Sequence, residues 1–319
     1  MKKSLSIEDI RKTSIKMKNI YNMVPELASI DAPILIQGEE GTEKELIARA
    51  IHLNSRRKNK LFAIFNCSAY PQELLEAELF GYEKGAFKGA LKRNIGYLER
   101  SNGGTIFLDE IDKISPLLQA KLVRFLQTKE FERLGDKETI RGVDVRLIVS
   151  TTTDLRQEVE KATFSEALYY QINTISIYLP PLRQRKDDIK SLTQYFLERL
   201  SLEKGKTIKA VSPDVLQVLM DYSWPRNIKE LENTIQYAFI SDKDKIIDEN
   251  DLPSRILNEI SIKKESRLTS FKSQEKGFLI RALQKYNWNK VKVAKELSIS
   301  RSTLYAKLKK YNITIDSEV

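Results

Sequence analysis

Between Ala32 and Tyr178 the chain alternates short runs of β-branched and aromatic residues with longer stretches whose apolar positions recur every three or four residues. Short apolar runs bounded by turn residues are what strands buried on both faces require, and the longer period is that of amphipathic helices. The predicted strands are Ala32–Gln37, Phe62–Asn66, Gly104–Leu108, Val145–Ser150 and Thr174–Tyr178, with helices such as Glu45–His52 and Leu117–Gln127 between them. This alternation predicts an α/β domain with a parallel sheet over residues 1–181. After Pro180-Pro181 the β pattern stops. Lys186–Leu202, Pro213–Tyr222 and Asn227–Phe239 read as helices, and Ser212-Pro213 supplies an N-cap followed by a first-turn proline. Residues 182–251 are therefore expected to form an all-helical lid. Residues 252–273, polar and mixed in charge, read as a linker that is helical at most in part.

A last helical unit is expected over 274–319. Its first helix, about Gln274 to Tyr286, puts Phe278, Leu279, Ala282 and Leu283 on one stripe. Asn289 fits an N-cap for a second helix with Val291, Ala294 and Leu297 facing inward. Ser298-Ile299-Ser300 makes a tight turn, and Ser300 caps a third helix with Leu304, Leu308 and Tyr311 inward. The third helix then exposes Arg301, Ser302, Thr303, Tyr305, Ala306, Lys307, Lys309 and Lys310. That is the layout of a helix-turn-helix whose last helix meets base edges through its N-terminal residues and phosphates through its lysines. The candidate DNA-contacting residues are Ser300, Arg301, Ser302, Thr303, Tyr305, Lys307, Lys309 and Lys310. The competing reading is a basic helical hairpin that docks on protein.

Charge strengthens the nucleic-acid reading. The net charge is +10 over 319 residues, which favours a polyanionic partner over an acidic small substrate, although a generally lysine-rich surface gives the same sum. From Lys272 to Lys310 eleven Lys and Arg residues face only Glu275 and Glu296. Cys67 and His52 stand alone in their types, which excludes an internal disulfide and a Cys/His zinc site. The N-terminus lacks a signal-peptide core, and no run approaches the ~18 apolar residues of a membrane span. A cytoplasmic protein without a membrane partner is expected, of two or three domains at about 150 residues each.

Two elements carry nucleotide chemistry. The strand Ala32–Gln37 runs into Gly38-Glu39-Glu40-Gly41-Thr42-Glu43-Lys44-Glu45 and then into a helix. Strand, glycine-bearing turn, lysine and helix make a phosphate loop, in which backbone N–H groups hold the anion and the lysine reaches the terminal phosphates. Glu43 stands where a glycine is expected, and Glu45 where Ser or Thr is, so a plain strand-turn-helix competes. Thr105-Ile106-Phe107-Leu108-Asp109-Glu110 is an apolar strand ending in two acids, the pattern in which an aspartate holds Mg²⁺ and a glutamate polarises the attacking water.

With these elements in order, the chain resembles the AAA+ domain of bacterial sigma-54-dependent activators of the nitrogen-regulator type. The resemblance runs through Gly38–Ala50, Asn66–Ala90, Gly103–Ile111, Gln119–Gly135, Leu179–Arg185 and Trp224–Asn233, and the C-terminal unit resembles their Fis-type module. It begins within the first few residues, so the family's N-terminal sensory domain is expected to be missing. The resemblance implies ATP with Mg²⁺ as cofactor, RNA polymerase with sigma-54 as partner, and a homo-oligomer, dimer or ring. It implies nucleotide contacts from Gly38, Gly41, Thr42, Lys44, Asp109 and Lys229, with Asp109 as the Mg²⁺ ligand. Glu110 would activate water, restrained by Asn66, and Phe87 with Lys88 would form the tip of the sigma-contact loop.

Several matched positions depart from the family. Lys88 stands for threonine in Gly85-Ala86-Phe87-Lys88-Gly89-Ala90. Ser165 and Gln171 stand for two arginines that reach a neighbouring subunit's nucleotide, contributions worth about 10³ to 10⁵ in rate. Arg156 and Arg183 are the nearest arginines, and Arg183 matches a different family position. Thr152 stands for a sensor asparagine, and Lys229 for a lid arginine, keeping charge but losing the planar fork. A carboxylate at Glu43, held about 4 Å from a phosphate, costs at most about 4 kcal/mol. Together these changes predict a DNA-binding regulator with weak or absent ATP hydrolysis and a weakened sigma-54 contact. The alternative is a working ATP-driven activator.

Overall fold

The computed structural model describes residues 15–136, 138–205, 210–241 and 246–313, with side chains at 15–16 and 263–273 outside the description. The chain divides into two compact units, Met1–Pro253 and Ser254–Val319.

The first unit is built on a five-stranded parallel sheet of β1 (Ile34–Gln37), β2 (Phe62–Asn66), β3 (Thr105–Asp109), β4 (Arg146–Thr151) and β5 (Ile175–Tyr178), in the order β2-β3-β4-β1-β5. All five strands were legible, displaced by no more than two residues at either end. β4 is buried along its whole length and β1 and β3 nearly so, whereas edge strands β2 and β5 alternate buried and exposed positions. Continuous apolar runs thus mark strands covered on both faces. Leu35, Phe65, Leu108 and Val149 from the sheet pack with Phe80, Phe125 and Leu168 from the covering helices. Strand order reverses beside β1, and the crevice outside the strand C-termini is where ligands bind in such sheets.

The helix Ile15–Ser29 lies ahead of the first predicted strand and went unread. It buries Met17, Tyr21, Val24, Leu27 and Ala28, a helical stripe. Buried Arg146 closes its C-terminus by donating to the Leu27 carbonyl at 2.7 Å and that of Ala28 at 3.2 Å. A guanidinium suits this place because it meets the negative end of the helix dipole.

The lid holds helices Asp187–Lys204, Pro213–Asp221 and Asn227–Ser241. It is not purely helical, as expected from sequence. Ala210–Val211 pairs in parallel with Ile246–Ile247, two-residue strands too short to give a periodic signal. Two antiparallel pairs also went unpredicted for the same reason, Gly81–Tyr82 with Asn94–Ile95 and Phe131–Glu132 with Thr139–Ile140.

In the second unit the expected linker is instead helix, continuous from Ser254 to Lys285. No glycine or proline interrupts it before Gly277, and a polar composition does not stop a helix. Helices Lys290–Glu296 and Arg301–Lys310 follow. Leu279, Leu283, Val293, Ala294, Leu304, Leu308, Tyr311 and Ile313 form the core. Phe278 and Val291, expected inside, are 54% and 48% exposed. Phe278 sits one residue before Leu279, about 100° around the helix, and Val291 is about 200° from Val293, the residue that faces in.

Asn289 caps its helix by accepting from the N–H groups of Val291 and Lys292, and Ser300 caps the last helix through Thr303 N–H at 3.1 Å. Ser298, between them, is left-handed at φ 54°. A side chain there costs about 1–2 kcal/mol, partly offset by the greater entropy of glycine in the unfolded chain. Ser298→Gly is expected to raise stability by about 0.5–1 kcal/mol in a urea titration. A lower midpoint for this variant would show that the serine makes up its strain elsewhere.

Candidate nucleotide site and recognition helix

β1 ends at Gln37 and the helix Lys44–Leu53 begins six residues later, so residues 38–43 turn the chain over the sheet's crevice. Gly38 is pressed against Leu179, whose Cβ and carbonyl oxygen stand 3.1 Å from where a Cβ would sit. Gly41 is left-handed at φ 74°, and a Cβ there would meet the Arg226 carbonyl at 2.2 Å. Thr42 is buried and donates to the Glu39 carbonyl at 2.7 Å. Lys44 is buried as well. Its ammonium donates to the carbonyls of Gly38 at 2.9 Å and Glu39 at 3.2 Å, and burial draws its pKa below the usual lysine range against the pull of Asp109, Glu110 and Asp112. The cation is folded onto its own loop, with opposite charge close by.

Glu43 also adopts the left-handed conformation, at φ 71° and ψ 41°. The backbone here keeps the shape a glycine would give while carrying a carboxylate. Burial, then repulsion from Glu232, raises that carboxyl to about 7.

Asp109 ends β3 with Oδ2 accepting from Asn66 Nδ2 at 3.2 Å and Oδ1 accepting from the Ser150 hydroxyl. Asn66 therefore holds Asp109 rather than Glu110, as the resemblance implied. β2 and β3 pair with Asn66 opposite Asp109, and Glu110 lies one residue beyond the ladder, where the backbone turns left-handed at φ 57°. Among the described residues no three His, Cys, Asp or Glu side chains are grouped to hold a metal ion by themselves. A Mg²⁺ at Asp109 fits only as one that keeps waters and binds phosphate oxygens, its ordinary habit.

The lid closes on this loop through residues that sequence reading missed. Asn227 Oδ1 accepts from Leu182 N–H at 2.7 Å while its Nδ2 donates to the Glu40 carbonyl at 2.8 Å and to Glu39 Oε2 at 3.3 Å. Ile228 N–H donates to the Gly41 carbonyl at 3.0 Å. Arg183 grips Glu39 with two bonds, 2.7 and 2.5 Å, and this holds the Glu39 carboxyl below the usual carboxylate range. Nothing in the local sequence marks Asn227 for this role, because its value lies in a left-handed φ of 49° and in three partners distant in sequence. Lys229 does not reach the loop. Its ammonium is 2.8 Å from Glu232, and its side chain is largely exposed.

The positions matched to the trans-acting arginines have local duties. Ser165 caps the helix Glu166–Ile172 through Leu168 N–H at 3.3 Å, and its own N–H donates to Gln119 Oε1 at 2.6 Å. Gln171 lies at the end of that helix with its Oε1 buried and without a hydrogen-bond partner. Thr152 lines a cleft of about 340 Å³ with Gln37, Gly38, Glu39, Asp154 and Tyr178. In the loop after Gly81–Tyr82, Phe87 packs edge-on against Tyr82 at 4.9 Å between ring centres, and Lys88 is exposed.

In the second unit Arg301, Ser302, Thr303, Tyr305, Lys309 and Lys310 are exposed along the last helix. Lys307 is half-buried and paired with Glu275, which also accepts from the Tyr311 hydroxyl. Part of the expected cationic face is therefore spent on folding. Lys290 lies over the Tyr305 ring at 5.1 Å.

Known proteins match along the chain. The Sigma-54 interaction domain family matches residues 10–178, the AAA+ ATPase lid domain 183–269, and the Fis family of bacterial regulatory proteins 270–311. The transcriptional regulatory protein ZraR of Salmonella typhimurium is 42% identical over 297 residues, covering 93% of this chain and 67% of ZraR. The regulatory protein AtoC of Escherichia coli is 42% identical over 306 residues, 93% of this chain and 66% of AtoC. The chain thus spans about two thirds of the length of these relatives. The crystal structure of NtrX from Brucella abortus in complex with ATP superposes with a TM-score of 0.72 at 30% identity, covering 98% of this chain and 70% of NtrX. No helix among the described residues is long and apolar enough to cross a membrane. The phosphate loop, the acid-tipped third strand, the lid and the helix-turn-helix agree with these matches, and the chain belongs to the sigma-54-dependent transcriptional activator family.

Proposed function

We propose that this protein is a DNA-binding transcription regulator whose AAA+ domain binds nucleotide but hydrolyses ATP weakly or not at all, with a reduced grip on sigma-54. The observation that carries the reading is the employment of Ser165 and Gln171. Neither side chain bears charge, and Ser165 is occupied as a helix cap. A neighbouring subunit's triphosphate would receive no guanidinium from these positions. Lys229, turned to Glu232, adds no nearby replacement.

Duplex DNA is the proposed partner of the second unit. Arg301 at the start of the last helix suits base edges, and Lys309 and Lys310 suit phosphates on either flank. Two such modules would meet half-sites about 34 Å apart. Nucleotide is the proposed ligand of the first unit, as in the NtrX complex with ATP, with Lys44 on phosphate and Asp109 on Mg²⁺. When bound, that metal would supply charge to the phosphate oxygens. Asn66 and Ser150 fix the Asp109 carboxylate for it, and Glu110 stands next in the chain to orient water. The intact Lys44, Asp109 and Asn66 set favours the second reading, a working activator.

Two outcomes separate the readings. Ser165→Arg combined with Gln171→Arg is expected to raise ATP turnover by about 10³-fold or more over the natural chain, the worth of a trans-acting arginine. Equal turnover in both would mean that the deficit, if any, lies elsewhere. Replacing Arg301, Lys309 and Lys310 with glutamine is expected to lower the slope of log affinity against log salt on duplex DNA by about 2.7 per module, at about 0.9 per lost phosphate contact. An unchanged slope would remove this helix from the DNA interface.

A further inference from the structure

We propose that Glu43 regulates nucleotide occupancy by protonation: its carboxyl must be uncharged for phosphates to settle on the loop between Gly38 and Lys44. This rests on reading the cleft as a nucleotide site.

The argument starts from backbone shape. Glu43 lies within the run of N–H groups that opens the helix Lys44–Leu53, the run a phosphate would use. Its left-handed backbone preserves the loop, so the substitution adds a carboxylate without removing the cradle. That carboxylate faces the junction between loop and lid. Arg185 and Asp188 from the start of the lid surround it, with Lys229 and Glu232 from the helix Asn227–Ser241, Tyr21 from the helix Ile15–Ser29, and Glu45 from its own helix.

Neither cation nearby belongs to Glu43. Arg185 is paired with Asp188 at 3.6 Å, both fully buried, and Lys229 is paired with Glu232 at 2.8 Å. Among the described residues the Glu43 carboxylate makes no hydrogen bond or ion pair. An ionised, half-buried and unpaired carboxylate is costly, and a second anion beside it raises the cost. Burial and Glu232 already bring this carboxyl to about 7, where modest changes of pH alter its charge. Tyr21, raised beyond its ordinary range by burial, stays neutral throughout and adds no charge.

ADP with Mg²⁺, titrated calorimetrically into the full chain from pH 7.5 to 9, tests this. The second ionisation of a terminal phosphate lies at about 6, so the ligand's charge is constant over that range. In the natural chain Kd is expected to weaken by about tenfold per pH unit more than in Glu43→Gln, which is expected to bind about 30-fold tighter at pH 8.5. The difference in slope is the readout, because Lys44 titrates in both proteins. Glu43→Gly should behave as Glu43→Gln does, and Glu45→Gln should keep the natural slope. Parallel slopes for the natural chain and Glu43→Gln, with binding intact, overturn this proposal alone. No binding of ADP by either protein at any pH overturns it together with the nucleotide reading of the cleft.

Discussion

The first unit depends on one close approach. The Arg226 carbonyl stands so near Gly41 that any side chain there would overlap it, at 2.2 Å from a Cβ. The lid can press its backbone onto the phosphate loop only because position 41 has no Cβ. Once there, Ile228 N–H reaches the Gly41 carbonyl, and Asn227 ties Glu40 to Leu182. The Arg183–Glu39 pair locks the loop's outer edge to the same point. Lid position and loop shape are therefore one variable, and whatever occupies the loop is felt by the lid.

This coupling gives the departures from the family their weight. Glu43 places charge at the hinge of that contact. Lys229 turns to Glu232 instead of the loop, and Ser165 serves its own helix. The scaffold that would transmit nucleotide state is preserved while the groups that would react to it are altered. In the second unit the opposite holds. Its caps, core and outward-facing arginine and lysines are all in place, although Glu275 draws Lys307 inward.

The sequence exposed what depends on period and composition. The central strands appear as continuous apolar runs because both faces are covered, and Asn289 and Ser300 appear as caps because capping is local chemistry. What escaped it depends on geometry between distant segments. The partners of Asn227 lie about 45 and 187 residues away, and no pattern around it reports them. The switch of Asn66 from Glu110 to Asp109 follows from strand register, which becomes visible only once β2 and β3 are paired. Val291 and Phe278 were misplaced because a short helix fixes its inward face by packing, and one residue of phase moves a side chain from core to solvent.

The central claim is that this AAA+ domain retains its nucleotide cradle but not the charges that drive hydrolysis. Steady-state release of phosphate from ATP by the full chain, followed over a wide range of protein concentration, tests it most directly. The account predicts turnover close to background that stays flat as concentration rises, since assembly supplies no arginine from a neighbour. Brisk turnover that climbs with concentration would contradict it.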